Sequence, residues 1–416
     1  MKHKAEWILI ILYLISIPAM IHAQDMTVGT LFDHTGALKD WGPRHQNAAD
    51  LAGRQISDAG FSMELIHKDS ETAAGPARKA ALELIEKYGV AGILGSSSSG
   101  VIVPVAEEIT SPREMLMITP GATSPFITGL PEDEGRDFLF RTCPSDSLQG
   151  AVLGKLAAGL YRTASVMYVN NPYGQGLANQ FRKTFQQNGG IVFTMIPHGE
   201  EVAVSYKDDL RKAFTRVFAT KPYISGKSDV LCVFSYPEHA KVYVKEAIEF
   251  YDCEHFLFCD GSKSEELAQA VGPANVEGMF GTAPGVAVGE AYFKFTADYE
   301  AAYGKFPVSP FVSNTYDATA VLGLAAYAAS VKGLPVNAKN VRDHLRQVAN
   351  PPGTFVGPGE FDLAFRLMKA GKNINYEGAS GTVDFDEHGD VKAPIEVWRF
   401  SNGKIQTYRV EYQATE

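Results

Sequence analysis

A rhythm in the chain constrains its fold more than any single residue does. Short apolar runs of strand length alternate with amphipathic stretches of helix length, and the alternation runs through twice. The first set is "MTVGTLFD" (26–33), "SMELIH" (62–67), "VAGILG" (90–95) and "MLMITP" (115–120), closed by "FLFRTC" (138–143). Between them, residues 74–88 place Ala77, Ala81, Leu84, Ile85 and Tyr88 on one helical face, with Lys and Glu opposite. The second set is "ASVMYVN" (164–170), "GIVFTMIP" (190–197), "DVLCVFSY" (229–236) and "HFLFCDG" (255–261). Strands separated by helices build βαβ units and parallel sheets. Two such sets predict two doubly wound, Rossmann-like α/β lobes, alike in pattern but without a visible sequence repeat. The 416 residues suffice for two domains.

The first residues, "MKHKAEWILIILYLISIPAMIHAQ", set two lysines ahead of an apolar core from about Trp7 to Met20. This core has the length of a signal-peptide core and falls short of a membrane span. Residues 1–23 are therefore expected to be a signal peptide cleaved after Ala23, leaving an exported, soluble protein. No cysteine lies near that junction, so no lipid anchor is expected. Loss of Lys2, Lys4 and Glu6 takes the formal charge from −10 to −11. An acidic chain without basic runs argues against nucleic acid or an anionic membrane as partner. The four cysteines, Cys143, Cys232, Cys253 and Cys259, have no CxxC spacing. An oxidising compartment permits a Cys232–Cys259 bridge between neighbouring strands; free buried thiols are the alternative.

In open α/β sheets a ligand binds beyond the carboxyl ends of the strands. The segments that follow the strands here are "DHTGALKDWG", "GSSSSG" and "PGATSP" in the first set, and "NNPYGQG", "YPEHA" and "DGSKS" in the second. Hydroxyls, glycines, a few aromatics and one acid thus converge on one face. In "GSSSSG" (95–100), a serine can cap the following segment, 101–109, and the first-turn N–H groups can hold an anion such as a carboxylate. Capping alone would need one serine. A nucleophile elbow is disfavoured, because GxSxG has three residues between its glycines, Gly95 and Gly100 have four, and no histidine partner is evident. In "PGATSP", Gly121 and Ala122 leave the backbone uncovered while Thr123 offers a hydroxyl and an N–H. Asp260 ends its strand either as a helix cap or as the partner of a buried cation.

"YGQGLAN" (173–179) lacks the small residue a dinucleotide fingerprint needs at Asn179, so no nucleotide cofactor is expected. "DFDEHGD" (384–390) lacks calcium-loop spacing and is read as a turn of solvated charges. The histidines form no pair at metal-ligand spacing, and no metal is expected.

The segments "GILGSSSSG", "LMITPGATSP", "FLFRTCPSDSLQG", "NNPYGQGLA" and "FLFCDG", in this order, resemble the leucine/isoleucine/valine-binding family of periplasmic solute receptors that serve ABC importers. The resemblance spans essentially the whole mature chain, and "LMITPGATSP" is its most specific match. It implies the type I periplasmic binding fold, with two lobes joined by three hinge crossovers closing on a small molecule without catalysis. Lobe 1 would be 24–142 plus 285–392, and lobe 2 would be 143–284 plus 393–416. It places Ser99 and Thr123 at the ligand's α-carboxylate and the Gly121 carbonyl and Asp260 at its ammonium, with Ala122 matching a small residue beside them and Asp260 where the family more often has Glu. Tyr173 and Tyr236 match aromatics that cover the ligand, and Trp41 stands where a tyrosine lines the side-chain pocket. Segment 351–381 is longer than in the branched-chain receptors and resembles relatives that bind amides, aromatic acids or varied amino acids. A disulfide that some members form has no counterpart, because no cysteine precedes Cys143.

The expectation is a periplasmic, monomeric receptor that captures an L-amino acid, apolar or aromatic side chains being favoured, and delivers it to an ABC permease. Three rivals stand beside it: a sensor subunit of the same fold, the same fold binding an amide, urea or aromatic carboxylate, and a hydrolase using Ser97 or Ser99.

Overall fold

The computed structural model describes residues 25–412 apart from 219–220 and 226, with side chains left aside throughout 216–226. The expected signal peptide, 1–23, lies outside the described residues. The first sheet has the order β2-β1-β3-β4-β5, all parallel, from β1 (Met26–Phe32), β2 (Met63–Asp69), β3 (Ile93–Gly95), β4 (Met117–Thr119) and β5 (Leu139–Arg141). Its helices in chain order are α1 (Gly42–Asp58), α2 (Ala74–Glu86) and α3 (Ser99–Val105). Ala77, Ala81 and Leu84 are the buried stripe of α2, on the face that the sequence periodicity marks. The stretch expected as one helix over 101–109 instead tightens into α3 and then widens into a five-residue turn at Ala106–Thr110. Pro104 lies inside α3, where it leaves the Gly100 carbonyl without its helical N–H partner.

The chain then crosses to the second lobe through α4 (Asp146–Leu160), β6 (Thr163–Val169), α5 (Pro172–Gln187), β7 (Ile191–His198) and α6 (Lys207–Ala213). A small hairpin, β8 (Arg216–Phe218) and β9 (Lys221–Ser225), precedes β10 (Val230–Phe234), α7 (Pro237–Tyr251), β11 (Phe256–Phe258), α8 (Glu265–Val271) and β12 (Phe280–Pro284). It returns as α9 (Glu290–Tyr303), α10 (Val312–Val331), α11 (Ala338–Ala349), β13 (Thr354–Val356), α12 (Phe361–Lys369) and β14 (Ile374–Tyr376). It crosses a third time into β15 (Ile395–Ser401) and β16 (Lys404–Glu411).

The second sheet has the order β16-β15-β12-β11-β10-β6-β7. Its inner strands are parallel, but β15 and β16 add an antiparallel edge that the alternation of strands and helices did not disclose. One apolar core joins β1–β5 to α9–α12, with Phe140, Phe295, Leu322 and Phe365 among its members. Separate cores serve the second sheet. Helix α10 is buried along nearly its whole circumference, as a helix at the centre of a lobe must be. The insertion around 351–381 packs on it through Asp317, whose carboxylate accepts hydrogen bonds from the Tyr376 hydroxyl and the Ala379 and Ser380 N–H groups. No helix among the described residues is long and apolar enough to cross a membrane.

Candidate functional site

Each sheet has a point where successive connections leave on opposite sides, and the loops there part to open a crevice. In the first sheet it lies between β1 and β3, and in the second between β6 and β10. Those four strands feed the loops that carry Asp33 and Trp41, serines 96–99, Asn171 and Tyr173, and Tyr236. The loops after β4 and β11 add Gly121, Ala122, Thr123 and Asp260. All eight residues singled out from sequence are buried where the two crevices face each other.

The four serines have separate tasks. Ser96 donates to the Asp33 carboxylate at 2.7 Å, and the Ser97 N–H donates to it at 3.1 Å. Ser98 precedes α3 without capping it; its hydroxyl meets the Tyr236 hydroxyl across the cleft at 2.9 Å, where Asn171 Nδ2 also donates at 3.1 Å. Ser99 Oγ accepts the Ser124 N–H at 3.1 Å, tying the "GSSSSG" and "PGATSP" loops together. In the second loop, the Gly121 and Ala122 N–H groups turn back onto Thr119 Oγ1. A β-carbon on Gly121 would come within 2.7 Å of Ser97 Oγ, so the loops pack this closely only with glycine there.

Ser97 does have a histidine partner, which the sequence did not reveal. His45 Nε2–H donates to the Pro310 carbonyl, which leaves Nδ1 to accept the Ser97 hydroxyl at 3.1 Å. Burial pulls the His45 pKa down to about 4, however, and a carbonyl rather than an acid supports the ring, so this pair makes a poor general base.

On the second lobe, Tyr173 and Tyr236 stack with centroids 5.6 Å apart and planes 9° from parallel. The Tyr173 hydroxyl donates to Asp260 at 2.7 Å, and Gln149 Nε2 donates to the same oxygen at 2.8 Å. A β-carbon on Gly261 would strike the Tyr173 hydroxyl, so glycine after Asp260 lets the ring approach. Trp41 packs on Phe311 and His45 with centroids 5.8 and 6.0 Å away.

The sequence reading missed a second acid. Asp146, the first residue of α4, lies close enough to Asp260 for their charges to repel, and the Thr123 hydroxyl donates to its Oδ2 at 2.8 Å. Thr123 therefore spends its hydroxyl on a carboxylate of the protein itself. Burial pushes both acids upward, Asp146 well above the usual carboxylate range, and the mutual repulsion adds to the rise for Asp146. Among the described residues no cationic side chain lies at ion-pair distance from either; Arg141, paired with Asp390, is near enough to offset part of the rise for Asp146. Asp146 Oδ1, Gln149 Oε1 and Thr282 Oγ1 are all buried without a hydrogen-bond partner. Asp33 also escaped the sequence reading, although it ends its strand "TLFD" just as Asp260 ends "FLFCD".

One other expectation changes, and for the cysteines one of two alternatives is found. The turn at 384–390 is not simply solvated: Asp390 forms a two-point pair with Arg141, which is fully buried and reaches the Ser124 carbonyl as well. A guanidinium taken out of water needs such a partner, and the acid has to come from a neighbouring turn. The four cysteines, Cys232 and Cys259 included, are free and buried.

The fold and its facing crevices define a two-lobed α/β ligand-binding protein of the periplasmic receptor type. The family model for the receptor family ligand binding region matches residues 44–403, and the chain belongs to that family, within the branch of the branched-chain amino-acid-binding proteins. It is 28% identical over 378 residues, 87% of this chain and 83% of the other, to the chemotactic signal transduction system substrate-binding protein BasB of Halobacterium salinarum. It is 26% identical over 365 residues, 86% of this chain and 85% of the other, to the leucine-, isoleucine-, valine-, threonine- and alanine-binding protein of Pseudomonas aeruginosa. The leucine-binding protein LivK of Thermotoga maritima shares the fold with a TM-score of 0.73 at 23% identity, over 93% of this chain and 99% of that one.

Proposed function

We propose that this protein is an exported receptor that captures an L-amino acid between its lobes and presents it to an ABC permease. The observation that carries this reading is the acid cluster. Two buried carboxylates face each other with no cation in ion-pair contact, the nearby Arg141 being paired with Asp390, and Asp146 Oδ1 and Gln149 Oε1 beside them have no donor. A ligand ammonium has three N–H donors and a positive charge, and Asp146, Gln149 and Asp260 offer it three acceptors and compensating charge. The α-carboxylate would lie toward Ser99 and the loop at 121–123. The side chain would run toward Trp41, Tyr173 and Tyr236, which favours apolar or aromatic groups. The substrates named for the Pseudomonas and Thermotoga relatives support this class.

A second reading takes its support from BasB: the same capture step reports to a chemotactic sensor instead of a permease. Deleting the gene would abolish uptake in the first case and attractant response in the second.

The test is a thermal-shift screen of the refolded chain from residue 24 against the amino acids, aromatic acids and amides. Ligand at 100 times its dissociation constant adds about 2.7 kcal/mol, a readily visible shift. Stabilisation by one or a few L-amino acids supports the reading. Response only to aromatic acids or amides transfers the chain to that ligand class.

A further inference from the structure

Away from the ligand site, the two lobes together form a surface groove of about 590 Å³. Pro125, which ends the "PGATSP" loop, and Phe126 after it make the wall on the first lobe. Ser147 of α4 and Asn179, Arg182 and Lys183 of α5 make the wall on the second. The walls meet closely. Ser124 Oγ donates to the Pro172 carbonyl at 2.8 Å, and a β-carbon on Gly176 would come within 2.6 Å of Pro125 Cδ. The same segments reach into the site: α5 opens with Asn171 as its cap and Tyr173 in its first turn, and the Ser124 N–H donates to Ser99. Parting the lobes at the cleft would carry Phe126 away from α5, so the groove is complete only while they are together.

Its charge is the reverse of the chain's. In a protein of formal charge −10, helices α4 and α5 pack side by side and carry Lys155, Arg182 and Lys183. Their single acid, Asp146, is buried in the cleft. All three cations are exposed, and among the described residues no carboxylate lies at ion-pair distance from any of them; Arg182 donates to the Asn179 side-chain oxygen. Beside the two cations in the groove, Phe126 is 48% exposed, although its N–H is fixed on Ser124 Oγ. A large ring held in water next to unpaired charges has the composition of an interface, an apolar contact within a polar rim.

We propose that this groove is the face by which the closed receptor docks on its membrane protein, and that the segment seated there is acidic, with Asp or Glu flanking an apolar side chain that packs on Phe126. The inference rests on the receptor reading above and holds for a permease or a sensor. Arg182 and Lys183 take the carboxylates, and an acidic segment is the complement that α4 and α5 lack within their own chain. An anionic lipid surface fits less well. Lipid-binding segments gather about four to eight cations, two line this groove, and the chain as a whole is acidic. A flat surface would also not distinguish closed lobes from parted ones, whereas a segment seated across both walls does.

The test replaces the gene with variants and measures cellular uptake of, or attractant response to, the amino acid that most stabilises the wild type in the thermal-shift screen. Calorimetry of each purified variant with the same amino acid runs beside it. Arg182→Glu/Lys183→Glu and Phe126→Ser should each lower the cellular response about tenfold or more, with ligand affinity within about twofold of wild type. Arg182→Lys/Lys183→Arg keeps the charge and should respond as the wild type does. So should Lys79→Glu, a reversal on α2 outside the groove. A full response from the reversed pair overturns the docking face and leaves the receptor reading intact, and an equal loss in the charge-keeping pair overturns the acidic partner. Pelleting of the wild type with phosphatidylglycerol vesicles, or its dimerisation in sedimentation, either one abolished in the reversed pair, would give the groove to lipid or to a second copy and overturn the proposal. A wild type that binds no amino acid, or supports neither uptake nor attraction, overturns the receptor reading and this inference with it.

Discussion

Asp260 and Asp146 bear the main functional claim at the scale of single residues. Charged hydrogen bonds contribute about 1.5–3 kcal/mol each, and about 1.4 kcal/mol is a factor of ten in affinity. Asp260→Ala and Asp146→Asn should each weaken amino-acid binding at least tenfold in a calorimetric titration; unchanged affinity in both would remove this site. The acids also make binding depend on pH. Burial raises both in the empty cleft, whereas a bound ammonium favours their ionised forms, so binding should expel protons. Affinity then rises with pH until both are ionised without ligand, and falls as the solution is acidified. Titrations at mildly acid pH in buffers of different ionisation enthalpy would count the released protons, and a count of zero contradicts the arrangement. Asp260 was legible because it ends an apolar strand run. Asp146 was not, since an acid in the first turn of a helix is already accounted for by the helix dipole. Its role depends on Thr123 and Asp260, which come from two other parts of the chain, and on Gln149 one turn along its own helix.

At the scale of elements, the strands that carry the site were legible as apolar runs, and the loops that matter follow them directly. What stayed hidden was polar or assembled from distant parts. Strand β16 is largely solvent-facing and carries no core run, and the turn at 384–390 shows nothing in sequence of its tie to Arg141. Removing one partner of a buried pair leaves an uncompensated charge, at a cost of about 3–5 kcal/mol. Asp390→Ala should therefore lower the stability of the ligand-free protein by that order in denaturant unfolding. A change of less than about 1 kcal/mol, the typical worth of a surface pair, would show that Arg141 is otherwise satisfied.

At the scale of the whole molecule, the lobes meet through hydrogen bonds within the site, Ser98 to the Tyr236 hydroxyl and Ser124 to the Pro172 carbonyl, and through charges at its rim. Lys39 pairs with Glu238 at 3.2 Å, Arg44 with Glu266 at 3.1 Å and Lys241 with Asp40 at 3.6 Å, each pair joining the first lobe to the second. Such exposed pairs are individually weak and screened by salt. If closure and binding are one equilibrium, raising the salt should weaken ligand affinity a few-fold, and Glu266→Lys should weaken it further at low salt. Restoration by Arg44→Glu in the same chain would assign the effect to the pair; affinity indifferent to salt would show that the rim does not contribute to closure. The most direct test of the central claim compares an amino acid with the same molecule lacking its amine. Calorimetry of the refolded protein with L-leucine and 4-methylpentanoate, or with L-phenylalanine and 3-phenylpropionate, isolates the contribution of the ammonium. The facing acids predict that at least one amino acid binds and that its amine-free partner does not. Equal binding of the two would contradict the account.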